Sequence, residues 1–175
     1  NHRVALRWAI AAYDHPLGLM ADRWSKESCD RINAMIMPLN DAYVAEVKRE
    51  GSDVTLVANG FQYKNAQVVA DKLAGEISVE IIDPRTVQPL DTATIVDSVK
   101  RTNRVLIVHE AVEFGGIGAE ISSQIQEAAF DYLDAPVARL AAPFAPVPYA
   151  PILENAYVPD APRIEAAVRR LLERR

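Results

Sequence analysis

Cysteine is almost missing from this chain: Cys29 is the one thiol in 175 residues. A lone cysteine forms no internal disulfide, which favours a reducing compartment, the cytoplasm or a mitochondrial matrix in a eukaryote. His2, His15 and Cys29 have neither i, i+4 nor Cys-x-x-Cys spacing, so no metal centre is expected from them. No run of about 18 apolar residues is present to span a bilayer. Positive charge is in deficit, with 19 Lys and Arg against 24 Asp and Glu and a net charge of −5. An acidic surface attracts neither nucleic acid nor an anionic membrane, which excludes both as main partners. Nucleophile elbows of the Gly-x-Ser-x-Gly kind are lacking, and so are the Gly-x-x-x-x-Gly-Lys-Ser/Thr loop and the full Gly-x-Gly-x-x-Gly fingerprint. No catalytic residue is therefore assigned. The chain starts at Asn1 rather than Met, so nothing follows from the lack of a leader.

Half the residues are apolar, enough for a core, and the length fits one ordinary domain plus an appendage. Residues 1–37 hold both tryptophans, all three methionines, Cys29 and two of the three histidines. That shift in composition marks a separate N-terminal segment. Val4, Ala5, Trp8, Ala9 and Ala12, then Leu17, Met20, Ala21 and Trp24, then Cys29, Ile32 and Ile36 recur at helical spacing, so short amphipathic helices with an apolar contact face are expected. Residues 38–50 read as a linker ending in an edge strand over 42–47, and the domain proper runs over 51–175.

Within that domain strands and helices alternate. Strands are expected over 54–58, 79–83, 104–109 and 137–142, the last as a core strand. Between them lie a helix with Ala66, Val69, Ala70 and Leu73 inward and Gly75 as its stop, a helix capped by Asp91 with Lys100 and Arg101 at its far end, and a helix with Ile121, Ile125, Ala128, Ala129 and Tyr132 on one face. Five prolines between Pro143 and Pro159 predict an extended surface course. Asp160 and Pro162 start a last helix with Ile164, Val168, Leu171 and Leu172 inward. The pattern predicts an α/β fold in three layers, a mostly parallel sheet of about five strands with helices on both faces and one edge strand possibly antiparallel.

The segment that organises the rest is Val105-Leu106-Ile107-Val108, a strand buried on both faces, followed by His109, Glu110 and the turn Gly115-Gly116-Ile117-Gly118. Ligands and partners of open α/β sheets gather outside the carboxyl ends of the strands, which puts these residues first among candidates. Backbone N–H groups at Gly115, Gly116 and Gly118 could meet an anion at a helix start, or the glycines serve close packing, the reading favoured here. His109 with Glu110, Glu113 and Glu120 could act as an acid–base group; a histidine donating one hydrogen bond within an interface is the commoner case. Asp83 and Arg85, at another strand end, are expected to form an internal ion pair that fixes the turn.

Three runs in fixed order, Ile82-Asp83-Pro84-Arg85-Thr86-Val87-Gln88-Pro89-Leu90-Asp91, His109-Glu110-Ala111 with Gly115 to Ile121, and Tyr132-Leu133-Asp134-Ala135-Pro136-Val137, resemble the carboxyl-terminal domain of beta subunits of thiamine-diphosphate-dependent 2-oxo acid dehydrogenase decarboxylases. The resemblance spans Pro38 to about Leu172. It implies a subunit-pairing domain that takes part in oxidative decarboxylation only inside a larger assembly, as a homodimer or a heterotetramer with an alpha subunit. Thiamine diphosphate and Mg²⁺ in that family sit between other domains, so none is expected on this chain. The 37 residues before Pro38 are too few for the cofactor domain, which needs on the order of 100. The resemblance further matches Asp134 to a residue that docks a basic domain of an acyltransferase core. The ending Arg169, Arg170, Glu173, Arg174, Arg175 predicts that such docking is weak or absent. A different class of function, a stand-alone module binding an anion or small molecule at Gly115 to Gly118, stays open at this point.

Overall fold

The computed structural model describes residues 43–173. The amphipathic segment expected over 1–37 and the first residue of the expected edge strand lie outside the described residues. Residues Ala45–Arg175 form one compact unit.

Five strands build its centre: β1 (Glu46–Arg49), β2 (Val54–Ala58), β3 (Val79–Asp83), β4 (Val105–Val112) and β5 (Ala138–Ala142). They lie in the order β1-β3-β2-β4-β5, with β1 antiparallel to β3 and every other pair parallel. Helices α1 (Gln62–Leu73), α2 (Thr92–Thr102), α3 (Ile117–Ala129), α4 (Pro151–Tyr157) and α5 (Ala161–Glu173) connect and cover the strands. The α/β class with a mostly parallel sheet of five strands is as the sequence predicts.

Strand alternation sends side chains to two cores. Val54, Leu56, Leu106 and Val108 join Ala66, Val69 and Leu73 of α1 and Ile164 and Val168 of α5 on one face. Val57, Val105 and Ile107 meet Ile95 and Val99 of α2 and Ile121 and Ile125 of α3 on the other. Since β2 and β4 are covered on both sides, they read as mainly apolar runs, Val105 to Val108 unbroken and Val54 to Ala58 interrupted only by Thr55. The polar side chains that β2 and β3 send into the interior are paired. The Thr55 hydroxyl lies 2.6 Å from that of Ser98 and 2.7 Å from that of Thr102, tying β2 to α2. Glu80, fully buried on β3, accepts from Arg101 at 2.6 Å and from the Gly51 amide at 3.3 Å.

Helix ends follow their local chemistry. Asp91 Oδ1 accepts from the Thr94 amide at 3.2 Å and caps α2, and Asn103, left-handed at φ 59°, closes it. Gly75 at φ +89° follows α1, where the Ile77 amide returns to the Leu73 carbonyl at 2.9 Å. At the start of α5 the Arg163 amide donates to Asp160 Oδ1 at 3.0 Å.

Five expectations need correction. The edge strand expected over 42–47 begins only at Glu46 and runs on to Arg49 as β1. Strand β4 runs on to Val112, because beyond an irregularity after Val108 it pairs again with Ala142 of β5. Strand β5 is an edge rather than a core strand, with only Ala141 and Ala142 buried. Ala128, within α3 but off its buried stripe of Ile121, Ile125 and Ala129, is exposed, and so is Tyr132, which falls in the turn of 3₁₀ helix that begins at Phe130. The proline-rich segment forms α4 from Pro151, where a proline at the first helical position lacks nothing the helix needs.

Candidate functional site

His109, Glu110 and the turn Gly115 to Gly118 lie at the carboxyl end of the sheet. His109 is 2% exposed, and both of its ring nitrogens are buried without a hydrogen-bond partner. Burial pushes its pKa below the ordinary value, the backbone at Ala111 works the other way, and the Arg139 charge adds to the depression while Glu113 opposes it. The reason for the glycines is then visible. A Cβ on Gly118 would stand 2.2 Å from His109 Nε2, and one on Gly116 would stand 3.0 Å from His109 Cε1 and 2.1 Å from the Val112 carbonyl oxygen. The imidazole fills the space side chains would need, so the turn is built for close approach of helix α3 to β4. Gly115, at φ +70° with open space around it, makes the bend itself.

The acid–base grouping does not assemble. Glu110 is exposed and accepts from Gln62 Nε2 at 3.3 Å, while Glu120 accepts from Gln124 Nε2 at 2.9 Å. Glu113 is exposed, and its backbone carbonyl accepts from Arg139 at 3.1 Å. Nor do Asp83 and Arg85 form the expected ion pair. Asp83 Oδ1 accepts instead from the Arg85 amide at 2.9 Å, and the guanidinium turns to Glu46 on β1, with Nε at 3.1 Å. A left-handed Arg85, φ 58°, aims the side chain at the neighbouring strand rather than back at Asp83. Ile117 is half-buried against the α2–α3 core.

Two features escaped the sequence. Gln62, fully buried at the start of α1, links Glu110 to Asn65, which in turn donates to the Pro159 carbonyl at 3.3 Å. More telling is a set of large apolar side chains left in solvent by the loops leaving β2, β4 and β5 and by α4. Phe61, Phe114, Phe144, Val147, Ile152 and Leu153 are each at least 56% exposed and Tyr149 fully so. The Phe114 and Phe144 rings meet edge to face at 5.3 Å, joining two of these loops, and Tyr157 anchors the proline-rich one by donating to the Ala145 carbonyl at 2.8 Å. Interleaved prolines and aromatics at 143–149 were the one available signal.

Asp134 lies at the opposite end of the sheet. Its carboxylate is 3.3 Å from Arg104, the residue before β4, and its amide donates to the Asn103 carbonyl at 2.9 Å. Among the described residues no three His, Cys, Asp or Glu side chains gather closely enough to hold a metal ion, and no helix is long and apolar enough to cross a membrane.

Residues 44–164 match the transketolase C-terminal domain. The chain belongs to the transketolase C-terminal domain family. It is 46% identical over 131 residues to the mitochondrial pyruvate dehydrogenase E1 component subunit beta of Dictyostelium discoideum, which covers 74% of this chain and 37% of that protein. It is 41% identical over 129 residues to the acetoin:2,6-dichlorophenolindophenol oxidoreductase subunit beta of Bacillus subtilis (strain 168), covering 73% of this chain and 38% of that one. A solved split gene transketolase, an inactive beta4 tetramer, superposes with a TM-score of 0.66 at 26% identity over 76% of this chain and 43% of its own. The transketolase C-terminal domain described here thus spans well under half the length of these relatives.

Proposed function

We propose that this transketolase C-terminal domain is the subunit-pairing module of a 2-oxo acid dehydrogenase beta subunit, acting in oxidative decarboxylation of a 2-oxo acid only within the larger assembly. One observation carries the reading: the apolar face at the carboxyl end of the sheet. Exposed contiguous apolar surface with aromatic anchors is the mark of a protein interface, and water disfavours leaving it uncovered. The partner is a second beta subunit, in a homodimer or in a heterotetramer with an alpha subunit, and docking of an acyltransferase core at Asp134 is expected to be weak or absent. Thiamine diphosphate and Mg²⁺ belong to the parent assembly. Among the described residues the carboxylates do not converge as a diphosphate–Mg²⁺ site needs. The compartment is the cytoplasm, or the mitochondrial matrix in a eukaryote.

The competing reading, an anion-binding module at Gly115 to Gly118, is disfavoured because the His109 ring already occupies the inner side of that helix start. Sedimentation velocity of the full chain tests the choice. Phe114, 76% exposed and held by one ring contact, can become Asp without unfolding the domain, and Phe114→Asp is expected to abolish self-association. An unchanged sedimentation coefficient counts against this face. Micromolar binding of thiamine diphosphate to the chain alone, measured by calorimetry, overturns the pairing role.

A further inference from the structure

We infer that His109 is a proton-operated latch: as the neutral imidazole it seats the Gly115 to Gly118 turn on β4, and as the imidazolium it releases that turn together with Phe114. Its consequence for subunit association rests on the pairing face described above; the latch itself does not.

The geometry carries the inference. Of the buried side-chain nitrogens and oxygens left without a hydrogen bond among the described residues, two of three belong to this one ring. A neutral imidazole survives such a site as a mostly apolar plate between Gly116 and Gly118. A cation does not, because both N–H groups then need acceptors and the charge needs water or a carboxylate. None is in place. The charged groups that act on the ring are Arg139 of β5, which repels the cation, and Glu113 of the turn, which attracts it without reaching a ring nitrogen. Helix α3 meets the ring with Gly118 and the turn meets it with Gly116, both uncharged. The nearby carboxylates of Glu110 and Glu120 are engaged by Gln62 and Gln124. Release of the ring toward solvent therefore means lifting the turn, and Phe114, inside that turn, leaves the Phe144 ring.

The sign follows from linkage. The seated ring holds its proton less tightly than a free histidine, so the open turn binds more protons than the closed one. Closure is complete above the ordinary histidine value of about 6.5 and is lost progressively as pH falls below it. The full chain labelled with ¹³Cε1-histidine gives the direct test by NMR, with His2→Gln and His15→Gln assigning the other two signals. His109 is expected to titrate below the ordinary histidine value. Hydrogen exchange of residues 113–119, corrected for intrinsic rates, should lose protection by up to about tenfold per pH unit between about pH 6.5 and about pH 5.5. His109→Gln and His109→Phe should flatten that dependence. A His109 titration at or above the ordinary value, protection that does not change with pH, or a dependence that persists in both variants overturns the latch. Sedimentation across the same range separates the two readings: an opened turn with association intact removes Phe114 from the pairing face, and no association even at about pH 7.5 sinks the pairing role while the NMR result still judges the latch.

Discussion

Replacing Gly118 by alanine asks whether the imidazole or the helix decides this position. The new Cβ would fall 2.2 Å from His109 Nε2 and 2.6 Å from Cδ2, well inside contact distance. The ring is 2% exposed, which leaves it little room to retreat. Overpacking of this kind costs about 1–3 kcal/mol. The substitution also has a favourable side, since alanine is better than glycine in a helix by about 1 kcal/mol. Gly118→Ala should therefore destabilise the domain by about 0–2 kcal/mol in the native background. With His109→Ala the obstruction is gone and the same change should stabilise by up to about 1 kcal/mol. The coupling energy in a double-mutant cycle is then about 1–3 kcal/mol, above the few tenths by which independent sites deviate from additivity. Urea unfolding of the four proteins, compared by midpoint at constant slope, measures it. Additive effects within about 0.5 kcal/mol would show that ring and glycine do not compete for this space.

Arg101→Met leaves the fully buried Glu80 carboxylate with the Gly51 amide as its remaining partner, and about 1–3 kcal/mol of stability should be lost. That is less than for a pair buried at both ends, because the Arg101 side chain is 51% exposed; a loss above about 4 kcal/mol by denaturant titration would contradict this. Asp91→Ala removes a cap whose carboxylate also receives the Ala45 amide at 3.1 Å and the Thr94 hydroxyl at 2.7 Å, so thermal melts should report a cost of about 1–2 kcal/mol, with Asp91→Asn recovering part of it.

Strands β2 and β3 were legible to the residue because their neighbours on both sides lie within the sheet and their buried positions, apart from the paired Thr55 and Glu80, are apolar. The inward face of α1 was equally plain, apart from Gln62, whose burial depends on Glu110 and on Asn65 rather than on anything in its own helix. What the sequence hid was decided by distant pairing. Glu110 and Ala111 look like the end of a strand, and only Ala142 across the bulge extends β4 to Val112. Likewise Ala138 to Ala142 reads as a core run, yet the sheet order leaves β5 at the rim. The candidate site divided in the same way. Its glycines could be read as close packing, but that the packed object is the His109 ring is a fact of three dimensions.

Parallel topology also explains why the two ends of this sheet differ. Each crossover helix runs back along the sheet, so helix carboxyl ends collect at the amino ends of the strands, where cationic side chains suit the helix dipole. Lys72, Arg101 and Arg104 stand there and recruit carboxylates: Lys72 to Glu165 at 2.6 Å, Arg101 to Glu80 at 2.6 Å and Arg104 to Asp134 at 3.3 Å. Such pairs tolerate water. The opposite end presents Phe61, Phe114, Phe144 and Tyr149, which favour being covered. A partner at one end would accordingly not interfere with a partner at the other. If Asp134 docks a basic partner domain, Arg104 competes for the same carboxylate, so Arg104→Ala should tighten that docking and Asp134→Asn should weaken it, each by up to about tenfold at low salt. Surface plasmon resonance against a basic subunit-binding domain reads both. Because the Phe114 face lies at the other end of the strands, Phe114→Asp should leave that affinity unchanged; a parallel loss would mean that docking requires the paired state and that the two ends do not act independently.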